Sequence, residues 1–231
     1  MQVERTYRIL LIRHGITAGN LEKRFNGCRT DEPLTLMGRE ALLERGAPEP
    51  FVQKIFSGPM KRCVETAECL YPGRDITILP GMKELDFGRF EGKNHAELDG
   101  DPDYQAWLDS GGRMVIPEGD SPEEFLGRTR RIFMEMLQRL PGTGESPATA
   151  ALICHGGNIM SIMSSLTGGD YFSFLVKNGE GYELTFSMTG ETIHDLSYHG
   201  LYTGESAGPD HRGSAVDAAS RASDGTSDRM A

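Results

Sequence analysis

None of the apolar stretches in this 231-residue chain reaches the ~20 residues that cross a bilayer, and the N-terminus has no apolar signal core. A membrane-spanning or exported protein is therefore not expected. Positive charge is also in short supply: 24 Lys and Arg stand against 34 Asp and Glu, a formal net charge of −10. Such an imbalance repels polyanions and argues against nucleic acid or an anionic membrane as partner. Cysteine is scarce. Cys28, Cys63, Cys69 and Cys154 show no CxxC spacing, which excludes the common zinc and dithiol motifs and suits reduced thiols in the cytoplasm. Hydrophobic residues make up only 38%, yet at this length that is enough for one generous α/β domain.

What is present alternates. Short β-rich runs at 8–13, 54–57, 75–79 and 150–154 predict strands. Helical spacing fills the gaps: 35–44, with Thr35 as cap and Gly46 beyond the end, then Gly58-Pro59 to Leu70, and 158–166. Ser121 opens the best helix, because Pro122 suits the first position and Glu124 completes a capping box; it runs through Leu140 to Pro141-Gly142. Residues 94–110 read as short helical pieces broken at Gly100 and Pro102, and 182–187 with 192–196 as a hairpin turned at Thr189-Gly190. Strands alternating with helices imply a mostly parallel sheet covered on both faces. From Gly200 the chain is rich in Gly, Ser, Ala and Asp, which predicts a disordered tail over 200–231 that cannot offset its ordering entropy.

Two of the strand runs end alike, in Arg13-His14-Gly15 and Cys154-His155-Gly156-Gly157. Ligands of open α/β sheets bind beyond the carboxyl ends of strands, so neighbouring strands would set two imidazoles face to face. Arg62 lies in the first turns of the helix after the 54–57 strand, and Lys83 to Gly92 forms a further station. Two guanidiniums, two imidazoles and the N–H groups of a helix opening at Gly156 make an anion pocket, and arginine forks match phosphate oxygens.

In this order, Arg13-His14-Gly15 with Thr17 and Asn20, Ser57 to Ala67, Phe87-Gly88 to Glu91-Gly92, and His155-Gly156 resemble the histidine phosphatase superfamily, also called phosphoglycerate mutase-like. The resemblance covers residues 7–198; Ile16 departs from it, standing where many members carry a polar residue. It implies a three-layer α/β/α sandwich over 1–199 with a small helical lid inserted at about 93–120. His14 would take the phosphoryl group as phosphohistidine. Arg13, Arg62 and His155 would hold its oxygens, with Asn20, the Asn26-Gly27 turn and Gly156 as further contacts. Glu84 matches the proton donor. Neither metal nor cofactor is implied.

Asp86 and Glu91 compete with Glu84 for the acid role, as a loop hydrogen bonder and a cap or ion-pair partner. His95, His194, His199 and His211 lack the context of the other two histidines. Cys154 beside His155 reads as a small buried hydrophobe. Among reactions, the stretch after Glu84 lacks the Arg-His-Tyr-Gly run of the cofactor-dependent mutases and looks like the phosphatase branch. The lid supports this by charge: Glu97, Asp99, Asp101, Asp103, Asp109, Glu118, Asp120, Glu123 and Glu124 face only Lys93, Arg113 and Arg128, which disfavours a doubly anionic substrate. Asp31 to Thr35, Phe87 to Gly92 and Tyr104 to Leu108 resemble α-ribazole phosphatase-type members, which act in cobalamin biosynthesis. Trp107, Tyr104 and Met114 would then meet an aromatic aglycone, or else pack the lid onto the sheet. A sugar phosphatase, a mutase and a silent phosphate-binding module are the alternatives. The expected partner is a small-molecule phosphomonoester, with a homodimer left open.

Overall fold

The computed structural model describes residues 4–140 and 147–202. Six strands, β1 (Glu4–Arg13), β2 (Lys54–Ser57), β3 (Ile76–Ile78), β4 (Ala148–Cys154), β5 (Gly181–Thr189) and β6 (Thr192–Leu201), form one sheet in the order β3-β2-β4-β1-β5-β6. The first four of that order run parallel, whereas β5 and β6 add antiparallel at one edge. Seven helices accompany them: α1 (Ala18–Leu21), α2 (Leu36–Arg45), α3 (Lys61–Leu70), α4 (His95–Leu98), α5 (Pro102–Asp109), α6 (Pro122–Gln138) and α7 (Gly156–Thr167).

The apolar runs at the centre bury both faces because strand side chains alternate. From β1, Tyr7, Ile9 and Leu11 join one core with Phe133, Met136 and Leu137 of α6 and Ile159 and Met163 of α7. Leu10 and Ile12 enter a second core with Leu42 of α2 and Cys63, Ala67 and Leu70 of α3. Three layers result, as expected from the alternation. A third, smaller core gathers Phe90, Leu98, Tyr104, Trp107 and Ile116, with Phe25 and Phe87 packed against it. It gives residues 93–120 their own interior.

Several boundaries move for identifiable reasons. β1 begins at Glu4 rather than at 8, since Glu4 to Thr6 pair with Ser187 to Thr189 of the remote β5. α3 begins at Lys61, three residues after Gly58, because Gly58 N–H still donates to Ile153 of the sheet and Asp31 accepts the Lys61 N–H at 2.7 Å. Pro102 opens α5 instead of breaking a helix; Asp101 caps it by accepting from Asp103 and Tyr104 N–H. α6 carries the expected Ser121–Glu124 box, while the Pro141-Gly142 stop lies outside the described residues. The hairpin turns at Gly190-Glu191, one residue later than predicted. Gly200 and Leu201 belong to β6, paired with Tyr182 and Gly181; the rest of the expected tail, from 203, lies outside the described residues. Among these, no helix is long and apolar enough to cross a membrane.

Candidate active site

β1 and β4 are parallel neighbours in a register that sets Arg13 opposite Cys154. The residues that follow, His14 and His155, therefore emerge side by side, ring centroids 5.2 Å apart and 66° between planes. Both are buried. His14 Nδ1 lies 2.8 Å from the carbonyl oxygen of Gly15. A carbonyl only accepts, so Nδ1 carries the proton and Nε2 keeps its lone pair. At His155 the order is reversed: Arg62 Nε donates to Nδ1 at 3.3 Å, which leaves the proton on Nε2. Cys63 Sγ packs along that ring, 3.4 Å from Nε2 and 3.8 Å from Nδ1. Burial, then the Arg62 charge, holds both imidazoles well below the usual 6.5. They are neutral bases near pH 7.

Arg62, the second residue of α3, is fully buried. Its Nη1 donates to Thr30 O at 2.6 Å and its Nη2 to Gly27 O at 2.9 Å, so the loop at 26–30 aims the guanidinium at the histidines. Arg13 reaches across to Val176 O at 2.6 Å through Nη1, while its buried Nε has no protein partner. Gly156, the first residue of α7, faces that atom; a Cβ there would rest 3.5 Å from Arg13 Nε. A buried N–H donor with no protein partner, on an arginine whose charge reaches both imidazoles, is able to receive an anion.

Glu84 meets the start of α7. Its oxygens accept from Leu85 N–H at 2.9 Å and Gly157 N–H at 3.1 Å. Burial pushes its carboxyl above the ordinary 4.5, although those N–H groups and the two arginines pull the other way. Position 157 admits only glycine in this arrangement, because a Cβ would collide with Glu84 Oε1. Neither competing carboxylate stands here. Asp86 accepts from Arg29 Nε and Gly88 N–H; Glu91 accepts from Gly27 N–H, Thr30 Oγ1 and Phe87 N–H and clasps the loop that holds Arg62.

The expected phosphate contacts at Asn26 and Gly27 have other partners in this structure. Asn26 donates to Glu32, and Gly27 uses its N–H on Glu91 and its carbonyl on Arg62. Asn20 sits at the start of α1 with Oδ1 accepting from Thr17 N–H and hydroxyl. Sequence reasoning missed Thr66 and Asn178. Thr66, one turn after Arg62, accepts the Gly15 N–H at 2.9 Å. Asn178 donates to the His14 and Gly15 carbonyls and to Asn20 Oδ1; its Asn-Gly dipeptide, a turn signal, was the available clue.

Of the two alternatives for the lid aromatics, packing is the one observed. Tyr104 and Trp107 are 4% and 9% exposed inside the small third core, stacked on each other and edge-on to Phe25 and Phe90, so they pack the lid; Met114, 49% exposed, is the one at its surface. Nor are the lid acids unopposed. Asp101 and Asp103 pair with Arg89, Glu97 with Arg24, Asp120 with Arg128, and nearby Asp86 with Arg29. All four of those arginines come from outside residues 93–120, so like-charge repulsion does not exclude a doubly anionic substrate.

The family model described as histidine phosphatase superfamily (branch 1) matches residues 9–198. A glucosyl-3-phosphoglycerate phosphatase of Mycolicibacterium vanbaalenii is 27% identical over 201 residues, covering 83% of this chain and 88% of its own. A probable phosphoglycerate mutase of Citrobacter koseri is 31% identical over 170 residues, 70% of this chain and 75% of its own. The solved structure of the α-ribazole phosphatase from Shigella flexneri superposes with a TM-score of 0.66 at 22% identity, covering 80% and 93% of the two chains.

Proposed function

The chain belongs to the histidine phosphatase superfamily, and on that premise we propose that it is a metal-independent phosphomonoesterase working through a phosphorylated histidine. One observation carries this: the tautomer of His14, whose Nδ1 proton is committed to Gly15 O, so that Nε2 offers a lone pair into a cationic nest. Nε2 attacks phosphorus while His155 Nε2–H, Arg13 and Arg62 hold the equatorial oxygens as charge builds. The Gly15 carbonyl stabilises the imidazolium that forms. Glu84, whose protonated form burial favours, gives its proton to the leaving oxygen; as a carboxylate it then activates the water that hydrolyses the phosphohistidine, and His14 is restored. Arg13 and Arg62 supply the neutralisation that a metal ion provides elsewhere. Asn20 and the α7 terminus at Gly156 complete the phosphate cradle, and the Asn26-Gly27 turn acts by aligning Arg62.

For the substrate, an α-ribazole phosphate of cobalamin assembly and a phosphorylated sugar acid both suit the class. The burial of Tyr104 and Trp107 withdraws the aromatic argument for the first, and the 27%-identical phosphatase supports the second. A mutase is the second reading, favoured by the 31%-identical relative; it requires a bisphosphate primer. The cytoplasmic location expected from the cysteines is part of the same proposal.

Purified protein should release phosphate from p-nitrophenyl phosphate in EDTA and form an acid-labile phosphoenzyme, and His14→Ala should lose both. Full turnover by His14→Ala would overturn the assignment; turnover of phosphoglycerates only with a primer would favour the mutase.

A further inference from the structure

A connection of residues 175–180 joins the 3₁₀ turn Tyr171–Phe174 to β5. Its turn, Lys177 to Glu180, is closed by the Glu180 N–H on Lys177 O, with Gly179 at φ 77°. That positive φ lets the Gly179 N–H point at the Arg13 and His14 carbonyls at 3.1 and 3.2 Å. The half-buried Asn178 side chain follows it. Nδ2 stands 3.1 Å from His14 O, 3.2 Å from Gly15 O and 3.0 Å from Asn20 Oδ1. Three acceptors around one atom fix that atom as the amide nitrogen, so the orientation of the Asn178 carboxamide is determined by its surroundings.

Asn20 Oδ1 receives Thr17 N–H at 3.1 Å, Thr17 Oγ1 at 2.9 Å and Asn178 Nδ2. Three donors fix it as the oxygen, so the NH₂ end of Asn20 is the end turned away from this cluster. The Gly15 carbonyl, meanwhile, is the group on which His14 Nδ1 spends its proton. One side chain thus touches both the carbonyl that receives the His14 Nδ1 proton and the Asn20 amide.

We infer that Asn178 is a positioning residue: its carboxamide locks the Gly15 carbonyl in place to receive the His14 Nδ1 proton and turns the Asn20 amide so that its NH₂ is presented to the phosphate. The inference rests on His14 being the phosphoryl acceptor. Asn178 itself touches no reacting atom. Without it Gly15 keeps the Thr66 bond on its N–H, in the preceding peptide, but its carbonyl, in the following one, loses the clamp, and His14 is free to place its proton on either nitrogen. Asn20 likewise loses one of the three donors that determine which way its amide faces.

The test compares wild type, Asn178→Ala and Asn178→Asp in the full-length protein. Asp keeps the shape but sets an acceptor where three oxygens need a donor, so it tests the donor role even if Ala fails to fold. In ¹⁵N-histidine NMR, with His14 assigned by the loss of its signals in His14→Ala, wild type should show the pure Nδ1–H tautomer. Both variants should show a mixture, and phosphoenzyme formation should slow roughly 10- to 100-fold, the scale of a small misplacement of a reacting group. KM for p-nitrophenyl phosphate should rise as Asn20 loses its orientation. A pure Nδ1–H signal in both variants, with kcat within about twofold of wild type, would overturn the inference. The NMR signature does not depend on turnover, so an inactive wild type would defeat the phosphatase proposal and still leave the role of Asn178 measurable.

Discussion

Glu84 has to be an acid first and a base afterwards, and its surroundings pull it both ways. Burial raises its pKa above 4.5, whereas His14 is held below 6.5. The signs give the pH profile. Activity should rise with pH as His14 loses its proton, on a limb lying below 6.5, and fall as Glu84 loses its own, on a limb lying above 4.5. Glu84→Gln should remove the upper limb and cost roughly 10²- to 10⁴-fold on alkyl phosphates, the range for general acid catalysis. The loss on p-nitrophenyl phosphate should be much smaller, because its leaving group hardly needs a proton. Profiles of kcat/KM on both substrates check this, and equal losses would point to another donor. From the sequence, Glu84, Asp86 and Glu91 are three carboxylates within eight residues and the residues alone do not separate them; the N–H groups of Leu85 and Gly157, the second of them 73 residues away, do.

At the scale of elements, the start of α7 is shaped by what it must not touch. Alanine is the better helix former by about 1 kcal/mol, yet at 157 its Cβ would strike Glu84 Oε1 and stand 3.1 Å from Phe125 Cζ. Overpacking costs about 1–3 kcal/mol, so Gly157→Ala should be net destabilising, lowering Tm by a few degrees and shifting Glu84. Thermal unfolding with activity on an alkyl phosphate measures both; an unchanged pair would mean that the carboxylate relaxes freely. The elements most legible in the sequence were those with local signals. Lys54–Ser57 is a short run closed by Gly58-Pro59, and Ser121-Pro122 with Glu124 is a local cap, and both appear where the residues put them. Glu4 to Thr6 carry no such signal. They are polar, and only pairing with β5 some 180 residues later makes them strand.

For the molecule as a whole, a chain of net charge −10 sets its fully buried Arg62 and half-covered Arg13 about the same two buried imidazoles. Such a centre should be stabilised by any tetrahedral or trigonal oxyanion. Orthovanadate at 100 times its Kd adds about 2.7 kcal/mol, which for a domain of this size is about 5–10 °C in Tm. A thermal-shift titration reads it directly, and no shift in wild type would deny the nest its anion. The stations at His14, Arg62 and His155 were legible because each follows a strand end or opens a helix. What stayed hidden was contributed across the fold: Asn178 lies 164 residues from His14, and the arginines that neutralise the lid come from segments the eye does not join to it.

The two imidazoles each follow the last paired residues of adjoining strands, Arg13 beside Cys154. Their 5.2 Å separation is close to the ~4.8 Å pitch between hydrogen-bonded strands. The calibre of the jaw is thus metered by peptide bonds rather than by side-chain fit. Residues 93–120 can be recut for a different cargo without altering the grip, whereas slipping that ladder by a single notch would put a thiol where a base has to be.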